Sequence, residues 1–89
     1  MDYEWDARKA RLNLEQHGVD FADAIGALED ELALTTADLS AGPEKRFVTL
    51  GMDLLGRLIV VIYTWHGQRI RLIFARKATR RERRQYEEG

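Results

Sequence analysis

Leu58-Ile59-Val60-Val61-Ile62-Tyr63-Thr64, followed by Arg69-Ile70-Arg71-Leu72-Ile73-Phe74-Ala75-Arg76, decides the fold. The first segment is apolar at every position but the last, too short for a good helix, and rich in β-branched residues. It therefore reads as a strand buried on both faces. Trp65-His66-Gly67-Gln68 makes a hairpin connection, with Gly67 supplying backbone freedom, and residues 69–76 form the returning strand. Upstream, residues 47–52 predict another strand and 53–56 its connection. Strands joined by short hairpins predict a small antiparallel sheet with helices packed on it. The fold class is α+β.

Helices are expected at both ends. Tyr3 to Trp5 reads as a short strand or lead-in, Asp6 as the N-cap of a helix over 7–17, and Gly18 as its C-cap. On that helix Ala7, Ala10 and Leu14 share an apolar stripe, with Lys9, Asn13 and His17 beside it at successive i, i+4 steps. A second short helix follows over 21–29, then a strand over 32–36 and a turn or loop over 38–44. After the hairpin, Thr79 and Glu82 have capping-box spacing. The basic helix they open, 80–87, carries Arg80, Arg81, Arg83, Arg84 and Tyr86.

The 89 residues suffice for one domain, 1–89, and the chain has no cysteine, hence no disulfide, thiol nucleophile or Cys-ligated zinc. Its acidic, aromatic opening is unlike a signal peptide, and its longest apolar run is far shorter than the roughly 20 residues of a membrane helix. A small soluble protein of the cytoplasm is the expectation, with no membrane partner. The net charge of −1 conceals a division. Residues 1–56 hold five basic and twelve acidic side chains, whereas 57–89 hold nine basic and three acidic ones. The second half suits a polyanion, unless folding brings the halves together to neutralise each other.

Strand alternation places Arg69 and Arg71 on one face and Ile70, Leu72 and Phe74 on the other. Arg76 and Lys77 stand where the strand meets the last helix, whose amino end favours an anion. Guanidinium groups match phosphate oxygens in pairs, so the stretch reads as a phosphate-backbone grip. A histidine can hold or release a proton near neutrality. His17 is therefore a candidate acid or base, though a helix C-terminus stabilises a histidine without catalysis. His66 reads as an exposed turn residue. His17 with Asp20 and Asp23 is a weak metal pattern, and neither a Walker loop nor a G-x-S-x-G elbow is present. Trp5 and Trp65 have the faces to stack on bases, but core positions are expected.

Three blocks carry a resemblance over most of the chain. They are Tyr3-Glu4-Trp5-Asp6-Ala7-Arg8-Lys9 with Asn13 and His17-Gly18-Val19-Asp20-Phe21; Gly56 to Thr64; and Arg69 to Ile73 with Ala75 to Glu87. In that order the chain resembles the BrnT family of toxins from bacterial type II toxin–antitoxin modules. Phe74 stands where the family commonly has serine. The resemblance implies a RelE-like α+β ribonuclease, held inactive by a cognate BrnA-like antitoxin whose DNA-binding domain represses the operon, with a possible higher-order complex. On this reading RNA is cleaved without metal or cofactor, inhibiting translation and growth. Arg76, with Arg71 or Arg69, holds the scissile phosphate. Lys9 and His17 face it, His17 moves protons, and Tyr86 positions the nucleotide. Arg69, Lys77, Arg80, Arg81 and Arg84 bind RNA. The alternative is a non-catalytic nucleic-acid-binding or interaction module, or a degenerate toxin whose Phe74 crowds the cleft.

Overall fold

The computed structural model describes residues 1–89, apart from the side chain of Ala41. Its elements are β1 (Asp2–Glu4), α1 (Ala7–His17), α2 (Phe21–Leu28), β2 (Leu34–Asp38), β3 (Arg46–Met52), β4 (Leu58–His66), β5 (Arg69–Lys77) and α3 (Arg80–Glu88). A short 3-10 turn, Leu39–Ala41, follows β2. The five strands form one sheet in the order β1-β5-β4-β3-β2.

The sheet is mixed, which corrects the expectation of an antiparallel one. β2 to β5 pair antiparallel, but β1 lies parallel to β5, with Asp2 opposite Arg69 and Glu4 opposite Arg71. That pairing joins segments 67 residues apart, and no hairpin pattern announces it. The expected strand over 32–36 starts two residues later, because Asp30 accepts the Leu32 N–H and holds that residue in a turn.

β4 is buried on both faces over its first four residues, as its composition requires. Ile59, Val61 and Tyr63 meet Val19, Phe21, Ala24 and Ala27 of the α1–α2 layer. Leu58 and Val60 meet Leu50 on the opposite face, where Tyr86 of α3 packs. α2 reaches the sheet closely at two glycines. A Cβ at Gly26 would stand 2.5 Å from the Leu54 nitrogen, and one at Gly51 would stand 2.7 Å from the Ala27 oxygen.

The alternation expected in β5 fails at Ile73. Tyr63 is opposite Leu72, but the next β4 residue, Ile62, is opposite Phe74, so Ile73 is an extra residue in a bulge. Ala75, not Phe74, therefore continues the buried face of Ile70 and Leu72. The apolar stripe expected on α1 is also corrected. Ala7 and Leu14 are exposed, while Asn13 is the buried residue of that helix. A polar side chain faces the sheet there because it has backbone partners to satisfy.

Candidate active site: the seam between α1 and β5

β1 covers only the first part of the outer edge of β5, and α1 continues along the rest. Asp6 starts the helix by accepting the Arg8 and Lys9 N–H groups at 2.8 and 3.1 Å. Gly18 ends it at φ 71°, a left-handed conformation suited to glycine. Between them Asn13 treats Ala75 as a neighbouring strand would. Its Oδ1 accepts the Ala75 N–H at 3.0 Å, and its Nδ2 donates to the Ala75 carbonyl at 2.8 Å and to the Val19 carbonyl at 2.9 Å. With Asn13 only 6 % exposed, these bonds fix α1 along the strand. Lys9 and His17, about 12 Å apart along the helix axis, thereby flank the strand that carries Arg69, Arg71, Arg76 and Lys77.

The sequence-predicted residues fall into two groups along this seam. At the first, Lys9 and Arg71 line one small pocket with Trp5, Asp6, Leu72 and Ile73. Arg71 also reaches Glu4 on β1, at 2.8 Å from Nε and 2.7 Å from Nη2. His66 Nδ1 lies 3.2 Å from the same carboxylate. The Arg71 hydrogen bond holds the Glu4 carboxyl below its ordinary range, with burial opposing and His66 helping. Arg69, exposed, stands opposite Asp2 and His66 in the sheet register.

At the second group, the His17 ring meets Phe74 edge to face, with centroids 4.6 Å apart and planes at 89°. Lys77 brings its ammonium beside Gly18, 4.0 Å from where a Cβ would stand. Arg57 donates to the Gly18 carbonyl at 2.9 Å. Arg76 makes a two-pronged pair with Glu82, at 2.8 and 2.9 Å. Glu82 also completes the capping box with Thr79. The Arg76 hydrogen bond is the main reason that the Glu82 carboxyl falls to about 2, burial opposing and Thr79 assisting. The same pairing raises Arg76 further above its already high value.

Two expectations are revised by this geometry. Arg71 and Arg76 do not present unpaired guanidinium charge where strand meets helix, because Glu4 and Glu82 each take one. The Tyr86 hydroxyl donates to Asp30 at 2.7 Å, and its ring packs with Leu50, Leu58 and Val60. Tyr86 thus ties α3 to the sheet. Among the described residues, the ion pairs involve Arg46, Arg57, His66, Arg71 and Arg76. Lys9, Lys77, Arg69, Arg80, Arg81 and Arg84 are exposed and take part in none of them. These cations are open to an anion, and Arg71, which engages Glu4 through Nε and Nη2, keeps Nη1 without an acceptor among the described residues. Among the described residues, no three His, Asp or Glu side chains cluster as metal ligands, and no helix is long and apolar enough to cross a membrane.

Sequence reasoning missed Glu4 and Asn13 as organisers of the seam. Glu4 sits in a three-residue strand without local signature. Asn13 sits at the one helix position where a polar side chain meets the open strand edge. The role of Glu82 was half visible, since its spacing from Thr79 announced the cap but not the pair with Arg76.

The fold, a mixed five-stranded sheet with two helices on one face and a basic helix on the other, has a solved counterpart. The structure is similar to the crystal structure of the Brucella abortus ribonuclease toxin, BrnT, with a TM-score of 0.67 and 25 % identity. The match covers 90 % of this chain and 99 % of that one. No curated protein sequence matches the chain. The fold is thus that of a small α+β ribonuclease toxin. A family model described as the ribonuclease toxin, BrnT, of type II toxin–antitoxin systems matches residues 5–82. The chain belongs to the BrnT family. The matched region contains Lys9, His17, Arg71, Arg76 and Lys77, and it stops short of Arg84 and Tyr86.

Proposed function

We propose that this chain is an endoribonuclease toxin that cleaves RNA without a metal ion and thereby inhibits translation and growth. A cognate antitoxin of the BrnA-like, DNA-binding kind holds it inactive by covering its basic seam. The observation that carries this reading is the hold of Asn13 on Ala75, which sets two side chains of α1 against the cationic strand β5.

In such a reaction the RNA 2′-hydroxyl attacks the adjacent phosphorus, and the bond to the next nucleotide's 5′-oxygen breaks. A 2′,3′-cyclic phosphate and a 5′-hydroxyl remain. The scissile phosphate belongs at the His17 end. There Lys77 lies beside Gly18 and supplies positive charge against the developing phosphorane, while His17 moves the proton. A positioned acid or base adds ~10²–10⁴-fold. Lys9 and Arg71 hold the neighbouring phosphate, which fixes the strand in line. Arg76 acts as a positioning residue, keeping α3 and its arginines at the end of the seam through Glu82. Arg69, Arg80, Arg81 and Arg84 attract the polyanion at longer range.

A second reading, a non-catalytic nucleic-acid-binding or interaction module or a degenerate toxin, is favoured by the Phe74 ring against His17 and by the carboxylates on Arg71 and Arg76. Digestion of RNA in EDTA separates the two. Cleavage lost on substrate without 2′-hydroxyls supports the nuclease, and binding without cleavage supports the module. Growth arrest on induced expression, relieved by co-expressed antitoxin, tests the cellular role.

A further inference from the structure

Trp65 is 45 % exposed, contrary to the expectation of a core tryptophan. Trp5, by contrast, is half-buried and meets Phe21 edge-on at 6.2 Å. Trp65 lies near the end of β4, its ring edge-on to Tyr63. It lines an open cleft of about 420 Å³ with Lys45, His66, Arg71 and Glu44 among its neighbours. Thr64 Oγ1 donates to the Lys45 carbonyl at 2.7 Å, which holds the backbone of that lysine against β4.

The acidic groups near this cleft are engaged. Glu44 pairs with Arg46 at 3.1 Å, and Glu4 takes Arg71 and His66. Among the described residues, Lys45 makes no ion pair, and Arg71 Nη1 has no hydrogen-bond acceptor. An exposed indole next to two available cationic donors has the composition of a single-strand nucleic-acid platform, where a base stacks and its phosphate is neutralised. Arg71 lines this cleft and also the pocket of Lys9. A strand leaving the cleft therefore passes onto the seam.

We infer that this cleft is a nucleotide subsite, in which Trp65 stacks one unpaired base of the RNA while Lys45 and Arg71 Nη1 hold its phosphate. The inference rests on RNA being the substrate, and it adds a place where nucleotide preference is set. Purine and pyrimidine bases differ in the area they lay on the indole, so the subsite discriminates by stacking rather than by base-edge hydrogen bonds.

The test is binding of a fully 2′-O-methylated RNA oligonucleotide, which lacks the attacking hydroxyl, by Trp5→Phe protein and its Trp65 and Lys45 variants. Fluorescence anisotropy and quenching of the remaining tryptophan give affinity and stacking. Quenching of Trp65, with affinity about tenfold weaker in Trp65→Ala and largely restored in Trp65→Phe, supports the subsite. With cleavable RNA the Trp65→Ala loss is expected as a raised KM. Unchanged affinity in Trp65→Ala with an unchanged melting temperature overturns it. So does a loss confined to antitoxin binding, which would make the surface the antitoxin's. Trp65-dependent binding by a protein that never cleaves RNA keeps the subsite and defeats the nuclease reading. Cleavage indifferent to Trp65→Ala does the reverse.

Discussion

Asn13 and Ala75 are joined as two paired strands are: one side chain on α1 both accepts the backbone N–H and donates to the backbone C=O of a residue 62 positions away. β5 would otherwise expose that part of its edge, because β1 ends opposite Arg71. The arrangement closes a sheet edge and sets the register of a helix against a strand at one point. The candidate site inherits its geometry from that contact.

Asn13→Ala leaves the N–H and C=O of Ala75 and the C=O of Val19 without their side-chain partner in a buried place. The expected loss is about 2–4 kcal/mol, read from urea denaturation. Asn13→Asp is expected to lose more at neutral pH, since a carboxylate would face two carbonyl oxygens. A loss below 1 kcal/mol in Asn13→Ala would mean that α1 is held mainly by other contacts.

The pair of Arg76 and Glu82 predicts a pH dependence. The folded-state value of Glu82, about 2, lies below its ordinary value of 4.5. Its stabilisation is therefore complete above about 4.5 and disappears as the pH falls toward 2. With both groups partly exposed, the pair and cap together contribute about 1–2 kcal/mol. Glu82→Gln, whose amide oxygen still serves the cap, loses the charged pair and should be less stable than the parent by up to that amount at pH 7. The difference should close between pH 4.5 and 2 in parallel denaturation curves.

Gly26 has no room for a side chain, because a Cβ meets the backbone of the β3–β4 connection at 2.5 and 2.8 Å. Gly26→Ala should destabilise by at least about 2 kcal/mol, despite the better helix propensity of alanine. Thermal unfolding checks this, and a melting temperature equal to the parent's would show that the connection yields freely.

Much of the fold was legible because the decisive residues act locally. The β-branched run at 58–64, Gly67 in its hairpin, Asp6 and Gly18 around α1, and the Thr79–Glu82 spacing all report on nearby backbone. What escaped depends on partners far along the chain. β1 offers three residues and no periodicity, yet it supplies the carboxylate that engages Arg71. The bulge at Ile73 leaves no trace in a run of apolar residues, so Phe74 was placed with Leu72. Of the stripe of Ala7, Ala10 and Leu14, only Ala10 packs on the core, because α1 docks chiefly through Asn13. The same distance in sequence hid the site's charge balance: Arg71 and Arg76 were visible as cations, but Glu4 was not visible as the counter-ion of one.

Lys9 lies at the end of the seam away from His17, so its role in holding a neighbouring phosphate predicts a binding defect. Lys9→Ala should raise KM several-fold and flatten the salt dependence of RNA binding, because one fewer phosphate is neutralised. Its melting temperature should match the parent's, since the side chain is exposed. Anisotropy titrations at a series of salt concentrations supply the slope, and an unchanged slope would remove Lys9 from the interface.

The most direct measurement is the rate at which the pure protein cleaves a labelled RNA in excess EDTA, beside its His17→Ala and Lys77→Ala variants and a fully 2′-O-methylated substrate. The expected result is cleavage by the parent, none on the methylated strand, and a loss of ~10²–10⁴-fold in His17→Ala at unchanged fold. Full cleavage by both variants, or cleavage that stops with the chelator and returns with a divalent ion, would contradict a seam that breaks RNA with its own side chains.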